Sequence, residues 1–325
     1  MKQPPRMTML LWLLAGILLI RGTPSLAGER LSDKTGFTVD SRDGTLAISY
    51  AGQPVAEYVY ADEKILRPYF ARLCVPGGIQ VTRNHPPKAG DATDHDTMHP
   101  GLWLAFGDAS GHDFWRNKAA IRHLRFAEHP AVRNGRLIFV TENELQTLDG
   151  TVIGVQVSRI VLEARPDGYL LTWEAAFAPG EQELVFGDQE EMGLGVRVAT
   201  AMAEKNGGRI RGSNGATGAK ATWGSALDWC DYSGTIDGRQ VGVTVMPDPA
   251  NFRPSWFHNR DYGLMVANPF GRKAMTGGES SRVTVKKGES LRLRFGVLLH
   301  ATAGGRRVDV PAAYRTFIEN RTNEG

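Results

Sequence analysis

The sequence is short of cysteine. Only Cys74 and Cys230 occur in 325 residues. Two cysteines close at most one bridge, so a disulfide framework is excluded, and no Cys-x-x-Cys motif can be written from them. Left as buried thiols they would act as small inert hydrophobes. Other marks are missing too. There is no G-x-S-x-G elbow, no P-loop, no dinucleotide glycine fingerprint after a strand and no H-E-x-x-H. Serine-hydrolase, phosphoryl-transfer and hydride-transfer chemistry therefore lack their usual signatures. Beyond residue 27 no apolar run is long enough to span a bilayer.

The one long apolar run opens the chain. Lys2 and Arg6 precede Met7–Ile20, an uncharged and mostly apolar stretch of 14 residues. A spanning helix needs about 20. Ser25-Leu26-Ala27 follows as a small-x-small cleavage pattern. Residues 1–27 read as a secretory signal peptide cut after Ala27, which directs the protein to the periplasm or the exterior. Its removal takes away Lys2, Arg6 and Arg21 and no acid, so the net charge falls from +3 to 0. A neutral chain carries no electrostatic footprint for nucleic acid or for an anionic membrane.

What remains, residues 28–325, is dominated by strand periodicity. "TLAISYAGQPVAEYVY" reads as two strands around a turn. "RNGRLIFVTENEL" follows an Asn-Gly turn. Pro-Asp-Gly divides "TVIGVQVSRIVLEARPDGYLLTWEAAF", and Asp237-Gly238 divides "GTIDGRQVGVTVMPD". "SSRVTVKKGESLRLRFGVLLH" reads as a further hairpin, with Lys-Gly-Glu at its turn. Residues 200–222 look like a long loop. "PAAYRTFIENR" is the one helical signal, with Pro311 in its first turn and Tyr314, Phe317 and Ile318 on one face. The expectation is a single all-β domain, a large antiparallel β-sandwich with a short C-terminal helix.

Three stretches could carry chemistry. In "GDATDHDTMHPGLWLAFGDASGHDFW", residues 90–115, His95, His99 and His112 alternate with Asp94, Asp96, Asp108 and Asp113. Imidazole serves both as a metal ligand and as a proton donor near neutral pH. One histidine oriented by an aspartate is a general acid; two with a carboxylate could hold a divalent metal; all could instead be turn caps. In "FGDQEEMGLGVRVA", residues 186–199, Glu191 is a candidate base and Arg197 a candidate partner for a polar or anionic substrate. In "NFRPSWFHNRDYGLMVANPFG", residues 251–271, His258 and Arg260 stand with aromatics in the mix usual for a polar-ligand pocket.

The stretches "RPYFARLCVPGGIQVTRNHP", "TDHDTMHPGLWLAFGDASGHDFW", Gln-Glu-Glu-x-Gly-x-x-x-Arg-Val and "NPFG" resemble the PmoA-like family, over roughly residues 55–320. The resemblance implies an exported bacterial protein linked to polysaccharide breakdown, with an all-β sandwich fold. It points to Arg67, Arg83, His95, His99, Trp103, Asp113, Trp115, Glu191, Arg197, His258 and Asn268. One departure is Met98-His99, where two adjacent histidines are expected. Methane oxidation is not carried over, because a membrane oxygenase subunit would need long apolar helices.

The resulting expectation is acid/base chemistry on a sugar or keto-sugar by a lyase, hydrolase or epimerase. His95, His99, Glu191 and His258 would be catalytic. Arg67, Arg83, Trp103, Asp113, Trp115, Arg197, Arg260 and Asn268 would bind substrate. Mutarotase-like supersandwiches, which pair a His acid with a Glu base, are the fold-level analogy. No cofactor is required. The alternatives are a metal-dependent oxidase or lyase with a divalent metal on His95 and His99, and a non-catalytic carbohydrate-binding protein.

Overall fold

Tight turns set the frame. Asn134-Gly135 and Asp237-Gly238 each place two successive residues at positive φ, at 50° and 74° and at 51° and 72°. That is the turn whose twist matches a right-handed hairpin, and Asn-Gly and Asp-Gly tolerate it best. The hairpins it closes are Ala119–Arg133 with Arg136–Thr147 and Cys230–Ile236 with Arg239–Pro247. The computed structural model describes residues 35–302 and 306–323. The expected signal peptide, residues 1–27, lies outside them.

The strands assemble into two eight-stranded sheets, antiparallel throughout, in an all-β sandwich. Sheet one runs, edge to edge, Phe37–Arg42, Thr45–Tyr50, Gln53–Val59, Tyr69–Ala71, Leu102–Phe106, Met192–Arg197, Leu264–Asn268, Trp256–Arg260. Sheet two runs Arg209–Gly212, Cys230–Ile236, Arg239–Pro247, Leu291–Thr302, Gly168–Pro179, Val152–Arg165, Arg136–Thr147, Ala119–Arg133. Alternation assigns the faces. Leu102, Leu104 and Phe106 point into the shared core, while Trp103 and Ala105 belong to a separate apolar cluster on the outward side. Aromatic rings join the sheets across the core: Phe70 meets Trp173 at 5.6 Å, and Phe106 meets Phe177 at 5.2 Å.

Both outward faces are partly covered. Over sheet one lie the loops 84–100 and 107–118, which is why Leu102–Phe106 is buried on both sides. Over sheet two lies the C-terminal helix Val310–Glu319. Its Val310 and Phe317 pack on Leu170, Met246 and Leu298, and Asp309 caps it by accepting from the Ala312 N–H at 2.9 Å. Among the described residues no helix is long and apolar enough to cross a membrane.

Two expectations about elements are corrected. Val283–Val285 and Leu291–Thr302 do not form a hairpin. The first pairs with Leu184–Phe186 and the second lies between Gly168–Pro179 and Arg239–Pro247. The long strand buries Leu293, Phe295, Val297 and Leu299 in the core, which only a central position in the sheet can satisfy. Residues 200–222 are more than a loop, since they hold the edge strand Arg209–Gly212 and the one-turn helix Ala219–Thr222. Their glycine-rich composition hid a four-residue strand. The two cysteines are free and buried, and burial pushes the Cys74 thiol up to about 11.

Candidate functional site

The outward face of sheet one is set by register. Trp103 stands opposite Gly195, Arg197 and Arg260 each stand opposite Leu264, and His258 stands opposite Val266. Residues directly opposite share a face. Gly195 shapes the floor. A Cβ there would come within 2.7 Å of Trp103 and 2.9 Å of Trp115. Its absence lets both indoles lie across the strand, edge to face at 5.1 Å.

The histidines build upward from that floor. His99 lies parallel to Trp103 at 5.1 Å, and His95 lies on His99 at 4.9 Å. The four-residue spacing works through one turn in which the His99 N–H donates to the His95 carbonyl at 2.8 Å. His95 takes a positive φ of 52° to reach it. The Tyr262 ring then flanks His95 at 6.0 Å. Exposure separates the two imidazoles, because His99 is 3% exposed while the His95 side chain is 41% exposed. Burial, and after it the charge of Arg197, push the His99 imidazole down to about 2, so it is neutral.

Arg197 organises the centre. It is buried, and its two terminal nitrogens donate to the two oxygens of Asp94 at 2.9 Å each. The guanidinium also lies 4.6 Å from the Tyr262 ring centre. Asp94 in turn bonds Nδ1 of His95 at 3.0 Å. Partial burial works against the Asp94 charge. The hydrogen bonds from Arg197 and His95, with the positive field of Arg197 and Arg83, overrule it and hold the carboxyl well below the usual range. Burial pushes the Tyr262 hydroxyl up; Arg197 and Arg260 ease that shift, while Asp94 and Glu191 add to it. Tyr262 therefore sits within the electrostatic reach of Glu191 as well as against His95.

The two glutamates, in the bend just before Met192–Arg197, take different partners. Glu191 pairs with Arg116 at 2.6 Å, and Glu190 pairs with Arg260 at 2.9 Å. His258 is buried. Its Nδ1 lies 3.2 Å from the Glu190 carbonyl oxygen, so that nitrogen carries the proton and donates. Its Nε2 has no hydrogen-bond partner and lies 3.7 Å from the Glu190 carboxylate. Burial, then Arg260, lower the His258 imidazole.

Several residues expected to bind substrate are spent on the framework. Arg67 is buried and donates to the Trp115 carbonyl at 3.0 Å, to Asn117 Oδ1 at 2.9 Å and to the Met98 carbonyl. Arg83 donates to the Asp94 carbonyl at 2.8 Å and to that of Ala92. Asn268 donates to the Gln189 and Glu190 carbonyls at 2.7 and 3.0 Å and accepts from the Phe270 and Gly271 N–H groups. Asp113 accepts from the Trp115 and Arg116 N–H groups and pairs with Arg116 at 3.0 Å. Trp103 and Trp115 are no stacking platform for a sugar, being 0% and 1% exposed. The expected general acid His99 is equally closed off. The face thus brings together His95, Glu191, Arg197, His258 and Arg260 with three residues not expected in the site, Asp94, Tyr262 and Arg116. Asp94 and Tyr262 stood in the stretches singled out. Arg116 had only its spacing of three from Asp113. Among the described residues no three His, Cys, Asp or Glu side chains are grouped to hold a metal ion.

A family model matches residues 45–311, most of the chain. The chain belongs to DUF6807, a family of unknown function. The resemblance to the PmoA-like family is corrected by that match, and nothing in the comparisons indicates a PmoA-like family. The residues that carried it, Asp94-His95, His99, Trp103, Asp113 and Trp115, are one packed unit over sheet one. No curated protein matches this DUF6807 chain. Among solved structures it is similar to heparan sulfate lyase HepC from Pedobacter heparinus at 9% identity, over 87% of this chain and 38% of that one, with a TM-score of 0.39. The chain thus spans well under half of that lyase. It is also similar to a galactose mutarotase-like protein from Clostridium acetobutylicum at 10% identity, over 85% and 98% of the two chains, with a TM-score of 0.37. A galactose mutarotase-related enzyme from Lactobacillus acidophilus matches at 11%, over 86% and 100%, with a TM-score of 0.36. These neighbours are carbohydrate-active by name.

Proposed function

We propose that this protein is an exported carbohydrate-active enzyme that performs acid/base chemistry on a sugar or keto-sugar at the outward face of sheet one. Lyase, hydrolase and epimerase reactions all fit that chemistry. The observation that carries the reading is the Asp94–His95 pair: an open imidazole, fixed at 3.0 Å by a carboxylate that Arg197 holds in place. A positioned imidazole of this kind is the usual proton donor or acceptor in such reactions. His95 gives a proton to the departing or ring oxygen. Glu191, oriented by Arg116, takes one from the substrate. Tyr262 and Arg260 bond hydroxyls. His99 supports His95 from beneath and stays neutral.

Unpaired polar atoms add weight. The indole N–H groups of Trp103 and Trp115 and Nε2 of His258 are buried without a partner. Buried polar atoms without a partner are uncommon in folded proteins, and each calls for an explanation. The reading calls on no cofactor and no nucleic-acid partner, and it assigns residues 1–27 to export.

The test is a panel of hexoses, uronates, disaccharides and keto-glycosides incubated with the protein. NMR follows anomerisation and bond cleavage, and ultraviolet absorbance follows a new double bond. His95→Ala and Glu191→Gln should each lower turnover by about 10²–10⁴-fold. Undiminished turnover in both variants would sink the assignment. Sugar binding with no turnover under any condition would turn the face into a binding module.

A further inference from the structure

A second concave site lies on the outward face of sheet two, beside the C-terminal helix. It is a cavity of about 400 Å³, within the range of small-molecule sites. Register explains why it is hollow. Arg209, Ser233, Gly242, His300 and Gly168 follow one another across five neighbouring strands. Three of the five are Ser or Gly, so the sheet surface is low there. Gly242 is decisive, since a Cβ on it would stand 2.3 Å from the His300 ring. The imidazole lies down over the glycine and its Nε2 meets Asp231 at 2.7 Å. Thr244 donates to the same Asp231 oxygen at 2.7 Å.

The charge of this cavity is one-sided. Arg209, Arg211, Arg306 and Arg307 line it, against the single carboxylate of Asp231. That carboxylate is buried and already occupied by His300 and Thr244. Arg211 stands directly opposite Asp231 in the register, yet its guanidinium lies over the Trp229 ring at 5.1 Å instead. Arg306 reaches Asp167 at 3.3 Å in an exposed pair. Arg209, Arg211 and Arg307 meet no carboxylate among the described residues. The neighbouring hollow at the other end of the same face differs. There Arg159 and Arg294 meet Glu174, and Arg294 and Arg321 meet Asp248, so among the described residues only Arg292 of its lining lacks a carboxylate.

We propose that the arginine-lined cavity is a second ligand site, which takes a small polar molecule through an oxyanion: a carboxylate, sulfate or phosphate group. Guanidinium forks match such oxygens two bonds at a time. Trp229 pre-orients one fork, and the Asp231–His300 floor offers polar atoms to whatever carries the anion. The inference stands independently of acid/base chemistry on sheet one.

The experiment is calorimetric titration of the purified protein, at low ionic strength, with D-glucuronate, D-glucose, inorganic phosphate and inorganic sulfate. Binding by glucuronate or by an inorganic anion, with none by glucose, is the expected result. Glucuronate alone assigns the oxyanion to an acidic sugar; phosphate or sulfate alone assigns it to the free anion or its ester. The double variant Arg209→Gln/Arg211→Gln should weaken binding about ten-fold or more, while His95→Ala leaves it unchanged. No binding by any of the three anions overturns the proposal, and so does binding that survives the double variant. Loss of turnover in His95→Ala with anion binding intact separates the two sites. Thermal melting of the double variant checks its fold, which these partly exposed arginines do not hold together.

Discussion

On sheet one every arginine of the outward face is engaged. Arg197 is locked to Asp94, Arg260 to Glu190, and Arg116 to both Asp113 and Glu191. On sheet two Arg209, Arg211 and Arg307 line a cavity of about 400 Å³ and meet no carboxylate among the described residues, and the buried aspartate there is kept by a histidine. Both faces use the same device to seat an imidazole or indole, a glycine on a central strand: Gly195 under the indoles, Gly242 under His300. What differs is where the charge is balanced. Internal pairing on sheet one fixes geometry before any substrate arrives, which is what proton transfer needs. Open arginines on sheet two leave the balancing to a ligand.

The largest expected effect strikes sheet two. Asp231→Ala leaves His300 and Thr244 in a buried site without their acceptor and should cost about 3 kcal/mol in urea unfolding. Asp231→Asn keeps an acceptor oxygen and should cost clearly less. Equal losses in the two variants would mean that packing, not hydrogen bonding, holds that floor. Next comes Gly195→Ala on sheet one. Rigid indoles on both sides cannot yield to a Cβ at 2.7 Å, and overpacking of this kind should cost about 2 kcal/mol. The variant should also lose turnover, since the His99–His95 stack rests on those indoles. A folded, fully active Gly195→Ala protein would break the link between floor and site.

Part of this was legible in the sequence. Turn residues and period-two patterning located most strands, because Asn-Gly and Asp-Gly fix a backbone geometry that few other pairs tolerate. His95, Glu191, Arg197, His258 and Arg260 stood out because polar residues crowded beside buried strands are conspicuous, and the fold gathers them on one face. Their division of labour was not legible. Whether an imidazole is open, like His95, or capped, like His99, depends on a neighbour stacked upon it. Arg67 and Asn268 look like ligand-binding side chains until their backbone partners are seen. The sheet-two cavity left even less trace. Its arginines come from Arg209–Gly212 and from the approach to the C-terminal helix, and only strand order brings them together. Position 242 is one glycine among 38.

A smaller and pH-dependent effect belongs to His99. Its native-state value is about 2, while an unfolded histidine titrates near 6.5. Between those values the unfolded chain binds a proton that the native chain does not. Stability from this group is therefore complete above about pH 6.5 and falls as the pH drops below it, by up to about 1.4 kcal/mol per pH unit. His99→Phe keeps an aromatic ring on Trp103 and removes the titration. Its stability should be flatter than wild type between about pH 6 and pH 5. Parallel curves for the two proteins would show that His99 is not the neutral, buried group described.

The smallest effect separates the two faces most cleanly. Arg306 makes only an exposed pair with Asp167, with side chains 73% and 45% open, and such pairs contribute about 0–1 kcal/mol. Arg306→Ala and Arg307→Ala should each change the unfolding free energy by less than about 0.5 kcal/mol. Arg197→Ala, by contrast, strands Asp94 and frees the loop that carries His95, and should cost several times as much. If the sheet-two arginines proved as costly to remove as Arg197, they would be structural, and the contrast between a face balanced from within and a face left open would collapse. If they prove free to remove, the fold does not need the positive charges that line the hollow.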